Sequence, residues 1–99
     1  MKTIYKYIIN DTAVVAGIQN SKTLLLPVGS KILCCKLQRN KDICVWIELD
    51  PNIEEKEEFT FAIFGTGWPM RELTDATYEY IDTIMFEDGV FVYHVYRIK

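Results

Sequence analysis

Asp88-Gly89, set between two long β-rich runs near the C-terminus, constrains the fold more than any other feature of the chain. An Asp-Gly link favours a turn whose two central residues both take positive φ, and that twist matches a pair of antiparallel strands. Residues 78–86 and 90–98 therefore read as a hairpin. With Glu87 opposite Val90, the count sets Phe86 against Phe91, Ile84 against Tyr93 and Asp82 against Val95 on one face. Met85 with Val92, Thr83 with His94 and Ile81 with Tyr96 share the other face. Both faces are largely apolar or aromatic, whereas a sheet with one wet face alternates. Either the hairpin is sandwiched inside the domain or a second subunit covers it. A chain of 99 residues has little material to cover two faces. The expectation is a homo-oligomer, with a symmetric dimer favoured.

The rest of the chain supplies more strands. Residues 2–9 alternate polar and apolar and read as a strand, followed by the turn cluster Asn10-Asp11-Thr12. Residues 13–18 are a short strand or part of a loop excursion that ends at Gln19-Asn20-Ser21-Lys22. Residues 23–26 form a short strand closed by Pro27-Val28-Gly29-Ser30. Residues 31–38 and 43–49 form a second hairpin across Arg39-Asn40-Lys41-Asp42, and Asp50-Pro51-Asn52 ends it. The charge run Glu54-Glu55-Lys56-Glu57-Glu58 reads as a solvated loop. Residues 71–76 are polar enough for a single helical turn. No repeat, long linker or helical periodicity appears. The fold class expected is all-β: residues 1–99 form one small antiparallel sandwich or partly open barrel of about six or seven strands.

Phe59-Thr60-Phe61-Ala62-Ile63-Phe64 is a strand that runs into Gly65-Thr66-Gly67-Trp68-Pro69-Met70. Two glycines and a proline within five residues end the sheet there. This is where a buried strand delivers adaptable backbone and a large aromatic to the surface, so a site is expected beside it. Gly65-Thr66-Gly67 is a turn or, alternatively, a nest of N–H groups for a phosphate. Thr66 and Trp68 would add a hydrogen bond and a stacking face. Trp46 shares a strand face with Cys44 and Glu48 and is a core residue or a ring lining a pocket.

The remaining chemistry is mostly negative. A net charge of −3 argues against electrostatic nucleic-acid binding. No apolar run approaches the ~18 residues of a membrane-spanning helix. An odd count of three cysteines, with charges at the N-terminus where a signal sequence is apolar, points to a reducing cytoplasm. Cys34 and Cys35 are adjacent and point to opposite faces of a strand, so no metal site is expected and all three thiols read as packing residues. His94, the sole histidine, faces Thr83 and reads as a satisfied structural residue rather than a general base. Asp82 lies in an apolar strand, where a pair with Arg97 would satisfy it. No catalytic constellation and no cofactor motif stands out, so the chain is read as a non-enzyme.

Several stretches together carry a resemblance. They are Met1-Lys2-Thr3-Ile4-Tyr5-Lys6-Tyr7, Leu26-Pro27-Val28-Gly29-Ser30-Lys31-Ile32-Leu33, Ile43-Cys44-Val45-Trp46 and Asp50-Pro51. Phe61-Ala62-Ile63-Phe64-Gly65-Thr66-Gly67-Trp68-Pro69, Tyr80-Ile81-Asp82-Thr83 and Asp88-Gly89-Val90-Phe91-Val92-Tyr93-His94-Val95 complete the set. In these the chain resembles a family of small tailed-phage proteins of unknown function. Trp68 stands where that family commonly has histidine, and residues 11–22 form a longer segment. The resemblance implies a setting in the host cytoplasm, where small oligomeric β-rich phage proteins include inhibitors of bacterial defence that sequester nucleotide signals. On that footing the expectation is a non-enzymatic binder of a nucleotide-like molecule. Its contacts would be Gly65, Thr66, Gly67, Trp68, Trp46, Tyr93 and His94, with Arg71 the nearest arginine in sequence for a phosphate. The alternative is a protein-interaction module that works through an exposed β-face or edge.

Overall fold

In the computed structural model, which describes residues 1–15, 17–70, 73 and 77–99, the chain forms eight strands. In order they are β1 (Thr3–Ile8), β2 (Ala13–Val15), β3 (Ile18–Pro27), β4 (Lys31–Gln38), β5 (Asp42–Leu49), β6 (Lys56–Gly65), β7 (Tyr78–Phe86) and β8 (Phe91–Ile98). Strand β5 shows why they stack in layers. Ile43, Val45, Ile47 and Leu49 recur at every second position and are buried, while Trp46 and Glu48 alternate with them on the opposite face. One face of this sheet must therefore meet another layer.

Two antiparallel sheets result, ordered β1-β5-β4 and β2-β3-β6-β8-β7. This is the small all-β sandwich expected from the sequence, and the two sheets do not close into a barrel. Their facing sides bury Val45, Ile47, Phe59, Phe61, Ile63 and Val95 in a shared core. Strand β6 is apolar on both sides. Ala62 and Phe64 point away from that core and join Ile18 and Leu73 in a second cluster, with Met70, Tyr96 and Ile98 packed against it. Part of the second face of the C-terminal hairpin is thus covered by the protein's own chain.

That hairpin follows the expected register from Phe86–Phe91 down to Asp82–Val95. Asp88 (φ 55°) and Gly89 (φ 93°) supply the two positive-φ residues of its turn, and the Val90 N–H bonds the Glu87 carbonyl at 3.2 Å. Glu87 and Val90 leave the ladder, because Glu87 itself takes φ 48° and gives its N–H to Asn40 Oδ1 at 3.0 Å. Beyond Asp82 a bulge at Ile81 shifts the pairing, so Tyr80 rather than Ile81 opposes Tyr96.

Three further expectations need correction. The stretch from Gln19 to Lys22 is strand rather than loop, since β3 runs unbroken over Ile18–Pro27. Ser21 and Lys22 are held by the ladder to β6, Ile18 and Ser21 pair with β2, and the buried Ser21 hydroxyl donates to the Ile18 carbonyl at 2.8 Å. Likewise Lys56, Glu57 and Glu58 are strand, paired with Pro27, Leu26 and Leu25, although their side chains are exposed. The Asp82–Arg97 pair does not form. The bulge sets Arg97 opposite Glu79, its guanidinium lies 3.7 Å from the Phe59 ring centroid, and Asp82 Oδ1 accepts the Thr83 N–H at 2.8 Å. The expected helical turn over residues 71–76 falls outside the described residues, Leu73 apart.

Candidate functional site: an aromatic cleft at one end of the sandwich

Gly65 is the last residue of β6 and pairs directly with Tyr93 of β8. Its missing side chain leaves a gap on the core face, and the indole of Trp68 fills it. A Cβ at Gly65 would lie 2.6 Å from Trp68 Cε2 and 2.8 Å from its Nε1. The turn that brings the indole back is closed by the Trp68 N–H to the Gly65 carbonyl at 3.0 Å, with Gly67 at φ 86°. The two glycines thus have separate tasks: one permits close approach and the other permits the turn.

Trp68 then meets Tyr93 edge to face, with ring centroids 5.9 Å apart, and Tyr93 meets Phe86 the same way at 5.6 Å. Together with Phe91, Ile63, Ile43, Asn10, Thr12 and Asn20 these rings line an open cleft of about 320 Å³. That volume lies near the lower end of the ~300–1,000 Å³ range of small-molecule sites. Among the described residues, no carboxylate, imidazole or cationic side chain lines it. Asn10 is fixed at its wall, donating Nδ2 to the Lys41 carbonyl at 2.9 Å and accepting the Ile43 N–H on Oδ1 at 3.1 Å. Asn20 takes φ 55°, a conformation that asparagine tolerates better than most residues. The cleft can stack a flat ring and offer it amide and hydroxyl hydrogen bonds.

The expected site residues are divided by the fold. Trp68 and Tyr93 line the cleft, while Gly65 and Gly67 shape the turn beside it and do not line it. Thr66 bridges to the opposite face of the five-stranded sheet. Its N–H bonds the Val92 carbonyl at 3.2 Å, and its hydroxyl meets His94 Nε2 at 2.8 Å. With the Thr66 and Trp68 N–H groups both engaged by backbone carbonyls, the turn reading describes Gly65-Thr66-Gly67 better than the phosphate nest does. His94 lies across from Thr83, as its register requires, and Nδ1 meets the Thr83 hydroxyl at 3.0 Å. The Tyr80 hydroxyl extends this chain to Thr83 at 2.6 Å. Each hydroxyl can donate or accept, so both imidazole nitrogens are satisfied in either tautomer. Trp46 is remote from the cleft, on the outer face of the three-stranded sheet between Lys6 and Cys34 in register. Arg71 lies outside the described residues.

Sequence reading missed Asn10, Thr12, Asn20, Ile43, Ile63, Phe86 and Phe91 as lining residues. A signal existed for the phenylalanines, which flank the Asp-Gly turn on the same face as Tyr93. Asn10 and Thr12 were legible as turn formers only.

Elsewhere, burial pushes the Cys35 thiol up to about 12, with the nearby Asp82 carboxylate adding to the shift. It is a packing thiol and no nucleophile at neutral pH. Cys34, Cys35 and Cys44 are all free, and Cys35 and Cys44 sit on opposite sides of their sheet. Among the described residues no group of three metal-ligating side chains gathers, and no helix is long and apolar enough to cross a membrane.

No curated protein and no solved structure matches the chain. The family model described as "Domain of unknown function (DUF7352)" matches residues 1–99, the whole of this sequence, and the chain belongs to that family.

Proposed function

We propose that this protein is a non-enzymatic binder that holds a flat, nucleotide-like small molecule in the cleft between Trp68, Tyr93, Phe86 and Phe91. The observation that carries the proposal is the character of the lining: four aromatic rings with two asparagines and a threonine, and no charged group among the described residues. Such a lining stacks a base and hydrogen-bonds its edge, while any phosphate would project out of the mouth. The resemblance to tailed-phage proteins supports capture of a nucleotide signal of host defence as the role.

The test is a fluorescence titration. Trp46 and Trp68 are the only tryptophans, and Trp46 faces away from the cleft, so Trp46→Phe leaves Trp68 as the reporter. Adenosine, adenine nucleotides and cyclic adenine nucleotides are titrated in turn. Saturable quenching by one of them, lost in Asn20→Ala, is the expected result. A flat response across the panel rejects the reading.

A second reading is favoured by a different observation. Tyr78, Tyr80 and Met85 are each about half exposed on one face of β7, away from the cleft. Such a surface suits a protein partner. Retention of a specific protein by the wild-type chain and not by Tyr80→Ala, with no nucleotide bound, would favour it.

A further inference from the structure

A sandwich of two open sheets has four edge strands, and an unprotected edge is a template for another strand. Three of the four are blunted here. Strand β7 carries the bulge at Ile81, and β4 carries one at Leu33. These two edges also lie close to one another where the sheets meet. Strand β2 has only three residues and shifts register within them, and where it stops the edge passes to β3, which carries Lys22 and ends in Pro27.

Strand β1 is different. Its six residues pair with β5 in unbroken register and include no proline. Ile4, Tyr5 and Ile8 are 54%, 45% and 41% exposed, although Tyr5 lies on the core side, opposite the buried Ile47. The Ile9 N–H bonds the Ile43 carbonyl, so by alternation Thr3, Tyr5 and Tyr7 direct their backbone groups to β5. Ile4, Lys6 and Ile8 direct theirs outward.

We propose that β1 pairs antiparallel with β1 of a second copy of this chain about a two-fold axis at Tyr5, merging the two three-stranded sheets into one of six strands. An axis perpendicular to the sheet keeps core side with core side, so odd positions pair with odd. Centring on Lys6 would set two lysines directly opposite, and centring on Ile4 would oppose Lys2 and Lys6; like charges so placed are destabilising. Centring on Tyr5 avoids both and sets Lys6 beside Ile4 of the second copy, with their outward N–H and C=O groups exchanged. The neighbour of Ile4 on β5 is Glu48, which has no ion-pair partner among the described residues. Lys6 already spans one intervening strand within its own sheet, reaching Gln38 Oε1 at 2.7 Å across β5. The same reach in the other direction meets Glu48 of the second copy. The pairing also sets the two half-exposed Tyr5 rings side by side.

Native mass spectrometry and light scattering of the full chain over a concentration series test this. The expected result is a dimer. Lys6→Pro removes one outward N–H and leaves the β5 ladder intact, so it should yield a monomer with unchanged circular dichroism. Lys6→Glu should weaken the dimer on the order of tenfold, and adding Glu48→Lys should restore it, since only the paired charges recover. The charge swap decides the question should Lys6→Pro fail to fold. A wild-type chain that is monomeric at every concentration overturns the proposal. So does a dimer indifferent to the charge reversal, which would place the contact elsewhere, for instance on the exposed tyrosines of β7.

Discussion

The two sheets use the same antiparallel ladder and spend their outer faces differently. On the three-stranded sheet the face away from the core carries Trp46 and Glu48 from β5 and Lys6 from β1, with Lys6 bonded to Gln38 across it. It is a wet face in which long side chains lie over a few apolar atoms. On the five-stranded sheet the corresponding face of β6 carries Ala62 and Phe64, closed by Leu73, Met70 and Tyr96. Alternation holds where water is the neighbour and breaks where the chain returns over the sheet. Around that second cluster the face is polar but internally bonded, through Thr23–Thr60 at 2.9 Å and the Tyr80–Thr83–His94–Thr66 chain.

The sharpest way to break this comparison is to empty each side of β6. Phe61→Ala on the fully buried core side should cost about 3–5 kcal/mol by chemical denaturation. Phe64→Ala on the other side should cost less, because its cover is thinner and can collapse onto the gap. Equal losses would show that the second cluster is as much a core as the first. Next in size is Gly65→Ala. The added methyl meets the Trp68 ring, so the fold should lose ~1–3 kcal/mol by overpacking. In the Trp46→Phe background the remaining tryptophan emission should shift to the red as the indole is expelled. Unchanged emission would separate Trp68 from the gap at Gly65.

A smaller effect is expected on the polar part of the outer face. His94→Phe keeps the ring and removes both nitrogens from the two threonine hydroxyls. A loss of about 1–2 kcal/mol follows from two partly exposed hydrogen bonds. Thr66→Val should show roughly half of it. A neutral result for His94→Phe would mean that water replaces the imidazole freely.

The same contrast explains what could be read from the sequence. Strands β4 and β7 were legible to the residue, because each is bounded by turn chemistry and filled with β-formers. The Asp-Gly turn was legible as well, and with it the pairing as far as Asp82. The bulge at Ile81 was not, since nothing in Tyr80-Ile81-Asp82 differs from regular strand. Gln19-Asn20-Ser21-Lys22 has no β-former, and its strand state comes with pairing on either side: Ser21 and Lys22 to β6, a non-local term, and Ile18 and Ser21 to β2. For the cleft, the turn at Gly65–Trp68 was legible because two glycines and a proline end the strand there, and Tyr93 was legible as an aromatic of the Asp-Gly hairpin. Trp46 shares its strand face with Glu48 as alternation requires, but that face looks away from the cleft. Its distance from Trp68 follows from β5 and β6 lying in different sheets, which no local pattern records.

The smallest effect concerns the thiol that faces the core from the three-stranded sheet. Cys35 is buried beside Asp82, and its thiol is raised from an ordinary value of 9.0 to about 12. The folded state therefore keeps a proton that the unfolded chain releases above pH 9. A raised value stabilises fully below the unfolded pKa and is lost as pH climbs toward the folded one. Stability should hold through neutral pH and decline between about pH 9 and 12. At about pH 10 the term amounts to on the order of 1 kcal/mol. Burial also raises Cys44 and Tyr7, so Cys35→Ala removes only its own share of the alkaline limb, at the cost of a small cavity, and its stability curve should approach the wild type as pH rises. Cys34, partly exposed on the wet face, should react with a thiol reagent in the native state, whereas Cys35 and the buried Cys44 should react only on unfolding. Parallel pH curves for the two proteins would remove the thiol from the alkaline limb. Native reactivity at Cys35 would show that water reaches the core face of β4.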